Sequence, residues 1–266
     1  MPPATVQNSS ITSACALKAT GISFSYGSAP ILADVNAELL PGRITAIVGS
    51  NGSGKSTLLL NLLGYLRPQA GKIFLSGTPL ENISPRWRAA AISFVAQRPV
   101  VHFAFTVEQI VRMGTWPARQ NGSGGTHWEL VNHAMQVTDI APLADRPFNE
   151  LSAGEQQRVA IARALATQAS AMLLDEPNSM LDLRHQLDLF SHLRDLAHKE
   201  NKTIGWVTHD LNQARKFADH VIILHQGRVV AAGSPMETLT PATLEPVYGV
   251  KVRVQEQSLI FSRFNE

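Results

Sequence analysis

The sequence has little of what marks several large protein classes. Its single cysteine, Cys15, leaves no internal disulfide to staple a small secreted fold. No stretch approaches the roughly 18 consecutive apolar residues that cross a bilayer, and the N-terminal segment lacks a basic start followed by an apolar run. A soluble protein that is not secreted is expected. Lys and Arg are scattered and the formal net charge is only +2, so no basic patch or tail points to nucleic acid or to an anionic membrane surface. Nine histidines are present, but His185, His192 and His198 lack ligand spacing and cysteine partners, which favours surface histidines over a metal centre.

What is present is the composition of a globular protein, 266 residues with 44% apolar and 17% charged side chains. That length suits one large domain or a domain with a subdomain. Short, nearly all-apolar runs at 44–48, 92–95, 171–174, 203–207 and 221–224 alternate with helical patterns. The rhythm predicts an α/β fold whose parallel strands are covered on both faces. Residues 17–26 and 31–40 flank a small-residue turn and predict an antiparallel hairpin layer beside the main sheet. Between 105 and 169 strand signals vanish and Asn121-Gly-Ser-Gly-Gly125 interrupts helical periods, so an inserted helical subdomain is expected. Its last helix carries Val159, Ala162 and Ala166 on one face, which is expected to pack on the sheet. Past Gly233, Thr240-Pro241 reads as a helix start and 250–254 as a strand.

One motif carries the chemistry. Gly49, Ser50, Asn51, Gly52, Ser53, Gly54, Lys55, Ser56 and Thr57 match the phosphate-loop pattern G-x-x-x-x-G-K-[ST], between a predicted strand and the helical run 58–66. Glycines let the backbone wrap phosphates with N–H groups inward, the following helix offers its positive end, and Lys55 adds a full charge. Ser56 is placed to ligate magnesium. The apolar run 171–174 ends in Asp175 and Glu176: the first suits a magnesium ion, the second a proton taken from an attacking water. Ser152 and Glu155 have capping-box spacing at the start of the helix that runs to Thr167, and a small-residue helix start is also an anion site.

In this order the motifs resemble the ATP-binding subunits of ABC transporters, over nearly the whole chain. By that resemblance Gly49 to Thr57 are the Walker A loop, Gln97 is the Q-loop glutamine that also approaches the metal, and Ser152, Gly154 and Glu155 belong to the signature motif. Asp175 and Glu176 close the Walker B strand, Asp182 ends the D-loop, His209 is the switch histidine, and Tyr26 stacks on adenine. The resemblance implies a P-loop NTPase core with a mixed sheet and an antiparallel β layer at 17–97 and 170–234. An N-terminal extension at 1–16, an α-helical signature subdomain at 98–169 and a C-terminal tail at 235–266 complete the expected organisation.

It also implies catalysis by Glu176, His209 and Gln97, with ATP and Mg2+ as cofactors. The partners implied are a second identical subunit, integral-membrane permease subunits and, indirectly, a solute-binding protein. The segment after Gln97, with His102-Phe-Ala-Phe-Thr106, and Asp182-Leu-Arg-His-Gln186 resemble importers of iron-siderophore, haem and cobalamin, which would set the chain at the cytoplasmic face of a bacterial inner membrane. The competing reading is a non-transport cassette acting as an ATP-gated interaction module. Three positions depart from the family pattern: Ala153 stands for a signature glycine, and Asn178 and Met180 for the common threonine and alanine near the D-loop.

Overall fold

The computed structural model describes residues 16–116, 127–256 and 258–263, so Cys15 and the predicted loop at 121–125 lie outside the described residues. The predicted hairpin is formed by β1 (Leu17–Tyr26) and β2 (Ala29–Leu39). They pair antiparallel and continue into β4 (Ala70–Leu75) and β5 (Thr78–Pro79), giving a four-stranded layer in the order β2-β1-β4-β5.

The main sheet has six strands in the order β10-β9-β3-β8-β7-β6. These are β3 (Ile44–Gly49), β6 (Ile92–Val95), β7 (Ala171–Asp175), β8 (Thr203–Val207), β9 (His220–His225) and β10 (Arg228–Gly233). All pairs are parallel except β9 with β10 at the edge. The all-apolar runs have the predicted cause, since alternate residues feed two different cores. Ala46, Met172, Leu174, Trp206 and Ile223 face one cluster with the helices and the tail, whereas Ile47, Leu173, Val207 and Ile222 face the antiparallel layer and the helix Lys55–Leu62.

A third cluster holds the helical insertion together, uniting Val107–Gly114, His127–Val137 and Ala153–Ala166. Here one expectation is corrected. Val159, Ala162 and Ala166 pack into this helical cluster and not on the sheet, whereas Ala160, Ile161 and Ala164 of the same helix meet the sheet-side core. The helix is wedged between two cores, so it has two apolar faces where a surface helix has one. The helix after the phosphate loop also differs from its predicted run: it starts three residues earlier, at Lys55, and ends at Leu62. Gly54 supplies its N-cap with a left-handed backbone, and Gly64 turns the chain away with φ +68.

In the tail, Thr240 caps the helix Pro241–Tyr248, and β11 (Lys251–Gln255) pairs with β12 (Ser258–Ser262). No helix among the described residues is long and apolar enough to cross a membrane.

Candidate active site

The strand order decides where the chemistry sits. In an open parallel sheet the loops leaving the carboxyl ends of adjacent strands line one crevice. The phosphate loop leaves β3, Gln97 follows β6, Asp175 and Glu176 end β7, and His209 follows β8. Residues far apart in the chain therefore share one rim.

The loop itself is shaped by backbone constraints. A Cβ on Gly49 would strike the Leu224 carbonyl, and one on Gly54, at φ +100, would come within 2.7 Å of Leu32. Only glycine fits either place. Leu58 N–H is bonded back to Gly54 O at 2.8 Å, so the N–H groups of Lys55, Ser56 and Thr57 have no intrahelical acceptor and open toward the loop. Lys55 Nζ donates to Gly49 O at 2.9 Å and Ser50 O at 3.0 Å, which folds its charge into the loop. Burial lowers the Lys55 pKa, against the pull of Glu176 and Asp175. Ser53 is buried, with its hydroxyl unpartnered among the described residues. Ser50 is half-buried, and Asn51 and Gly52 form the exposed crest.

Asp175 and Glu176 separate as their adjacent places require. Burial raises the Asp175 pKa, opposed by a hydrogen bond from the Ser56 hydroxyl and by Lys55, while Glu176 pushes it further up. A carboxylate in that position is an anion in want of a cation. Ser56, Asp175 and the Gln97 amide oxygen are hard oxygen donors of the kind magnesium takes. Glu176 has a left-handed backbone, φ 45, that turns its carboxylate out of the strand line. Gln97 Nε2 donates to Glu176 Oε2 at 2.8 Å, and His209 Nδ1 lies 3.3 Å from the same oxygen. Gln97 and His209 are both exposed, so their meeting on one carboxylate is not a packing accident.

The remaining expected residues lie outside this cluster. Tyr26 is 50% exposed at the end of β1, its ring edge-on to Phe24, with a face open to solvent. Ser152 caps the helix Ala153–Ala166 in the predicted box: its hydroxyl accepts from Glu155 N–H, and Glu155 Oε2 takes Ser152 N–H at 2.8 Å and Oγ at 2.7 Å. Those bonds from Ser152 hold the Glu155 carboxyl below the usual range. Ala153 is the first helical residue and does not have positive φ, so its methyl is tolerated. A Cβ on Gly154 would come within 2.9 Å of Met180 O, so glycine is needed there for the signature turn to lie against the D-loop. Asp182 caps the helix Leu183–His198 and holds His185 Nδ1 at 2.9 Å.

His198 is exposed, as expected of a surface histidine, and His185 is half-buried. His185 is drawn to Asp182 and Asp139, and His198 to Asp219, so each is engaged by carboxylates. Two features escaped sequence reasoning. The phenol of Tyr248, in the tail, reaches the phosphate loop's Gly49, and Gln213 and Gln186 join Asn178 in an amide cluster. Neither has a spacing signal.

The family profile described as ABC transporter matches residues 32–179. The hemin import ATP-binding protein HmuV of Bordetella pertussis is 38% identical over 246 residues, spanning 90% of this chain and 94% of that protein. The ferric enterobactin transport ATP-binding protein FepC of Escherichia coli is 36% identical over 243 residues, spanning 90% and 89%. Among solved structures, an inward-facing ABC transporter of the metal-chelate type aligns with a TM-score of 0.74 at 31% identity, covering 93% of this chain and 96% of that one.

Proposed function

The chain belongs to the ABC transporter family as an ATP-binding, ATP-hydrolysing subunit, and from that premise we propose that it powers uptake of a metal chelate of the iron-siderophore, haem or cobalamin kind. It would do so as a homodimer, bound to permease subunits at the cytoplasmic face of the membrane. The carrying observation is the convergence of Gln97 and His209 on Glu176 Oε2 beside the phosphate loop.

In this reading the backbone from Gly49 to Thr57 cradles the triphosphate, and Lys55 exchanges its carbonyl partners for phosphate oxygens. Tyr26 offers its open ring face to the base. With Oε2 held by Gln97 and His209, Glu176 keeps Oε1 to take a proton from the attacking water. Ser56, Asp175 and Gln97 would hold Mg2+, which when bound neutralises charge developing on the phosphates. The exposed start of the signature helix, with Ser152, Gly154 and Glu155, closes on the γ-phosphate held by the second subunit, and Asp182 lies at that junction. Moving a pair from mostly open to mostly closed needs a preference of about 5.5 kcal/mol, within reach of charged phosphate contacts made by two subunits.

The cargo is read from the relatives, two of which are named for hemin and ferric enterobactin. The test is uptake of labelled haem, ferric siderophore and cobalamin by source cells carrying Glu176→Gln in place of the native residue. Loss of uptake of one chelate is expected, together with recovery of a polytopic permease when the protein is purified from membranes. Unimpaired uptake of all three, or co-purification with nucleic acid in place of a permease, overturns the proposal.

A further inference from the structure

Asn178 departs from the family pattern, and its surroundings give it work. It sits between Glu176 and the exposed turn of Ser179 and Met180, yet is only 8% exposed itself. Its Nδ2 donates to Gln213 Oε1 at 2.7 Å, and Gln213 Nε2 donates to Gln186 Oε1 at 3.1 Å. Gln186 Nε2 then donates back to Asn178 O at 3.1 Å and Leu181 O at 2.9 Å. The three side-chain amides and the Asn178 carbonyl close a ring, so loss of the Gln213 amide strands polar groups on both Asn178 and Gln186, and loss of the Asn178 amide strands Gln213 Oε1.

The ring spans the two segments that flank Glu176. Gln186 and Asn178 fix the D-loop, through side chain on one side and backbone on the other. Gln213 belongs to the helix Leu211–Phe217, where its N–H is held by Asp210 at 2.9 Å; Asp210 N–H in turn is held by Thr208 Oγ1 at 3.0 Å. His209 lies between those two residues and points to Glu176 Oε2. A threonine at 178 would carry its hydroxyl on Cβ, one bond short of the asparagine amide, and would not reach Gln213 in the same way.

We propose that Asn178 and Gln213 are positioning residues for hydrolysis, locking the D-loop to the His209 turn so that both sides of Glu176 move as one body. This rests on the assignment of Glu176 and His209 given above, and the two can fail separately. Full turnover in Glu176→Gln sinks that assignment, whereas the ring is judged by amide exchange of the full-length protein, which needs no catalysis.

Asn178→Ala and Gln213→Met, the second nearly volume-conserving, are compared with the double variant. In each single variant, backbone exchange is expected to quicken in both segments, Ser179 to Leu181 and Thr208 to Asp210. Maximal ATP turnover should fall about fivefold to tenfold with KM for ATP within about twofold, the scale of one lost hydrogen bond. The double variant should lose no more than the worse single one, as expected of residues acting as a unit. Exchange altered only on the substituted side, losses that multiply in the double variant, or an effect confined to KM would overturn the coupling.

Discussion

The two helix starts of this chain that the proposed function assigns to phosphate are built to opposite plans. The helix Lys55–Leu62 has no side-chain cap; a left-handed glycine begins it, and its lysine is buried among the loop's own carbonyls. The helix Ala153–Ala166 is capped by its own Ser152 and Glu155, and its start, at Ser152 and Ala153, is exposed. The first site leaves its helix N–H groups open for a ligand, while the second commits Ser152 N–H to the Glu155 carboxylate and Glu155 N–H to the Ser152 hydroxyl. Under the proposed function the difference has a meaning: the first is a whole site within one chain. On the same proposal the second is half a site, stable alone and completed when another subunit brings a phosphate.

The largest effects should fall on the whole site. Lys55→Ala is expected to abolish ATP binding by the isolated chain, and with it all turnover; calorimetric titration checks this, and unchanged affinity breaks the contrast at its root. Glu176→Gln should bind ATP as the native protein does, slow hydrolysis by about 10² to 10⁴, and trap the closed dimer. Size-exclusion chromatography with ATP reads the trapped pair, and rapid quench reads the rate.

Ser152→Ala sharpens the other half. If the signature turn acts only on a second subunit's nucleotide, the isolated subunit should bind ATP with native affinity while dimer turnover falls about tenfold, the cost of one charge-assisted hydrogen bond. Stability should also drop by about 1 kcal/mol from loss of the cap, seen as a lower denaturant midpoint. A weakened ATP affinity in dilute monomer would mean that the signature turn serves its own nucleotide.

Much of this contrast was legible in sequence because it rests on local chemistry. The glycine-lysine spacing, the Ser152 and Glu155 pair and the acidic end of β7 each depend on near neighbours. Strands β6 and β8 have the predicted ends, because an apolar run buried on both faces begins and stops with its burial. Strands β4 and β10 gave no usable signal. One is mostly exposed over its first half, and the other is an antiparallel edge whose residues never become fully buried. The helix Ala153–Ala166 was misread for the opposite reason, since two cores claim it and its apolar residues do not mark a single face. The convergence of Gln97, Glu176 and His209 follows from strand order, which a lone sequence does not print. The Asn178, Gln213 and Gln186 ring lies deeper still, because amides have no spacing rule and are joined by topology alone.

The smallest effect concerns what stands behind the whole site. Burial pushes the Tyr248 phenol up to about 12; the Gly49 backbone amide opposes this but makes no well-aligned hydrogen bond, for the phenol oxygen is unpartnered among the described residues. The folded-state pKa is raised above the unfolded value, so the stability due to keeping this phenol neutral is complete below pH 10 and is lost as pH rises from there toward 12. Tyr248→Phe should therefore leave stability near neutral pH within about 0.5 kcal/mol, the range of a change that removes no satisfied bond. Near pH 12 the variant should outlast the native chain by on the order of 2 kcal/mol. Denaturant midpoints of both proteins across that range decide it. A variant already weaker at pH 8 would show that the phenol supports Gly49 through a bond it needs, and the phosphate loop would then depend on the tail for its shape.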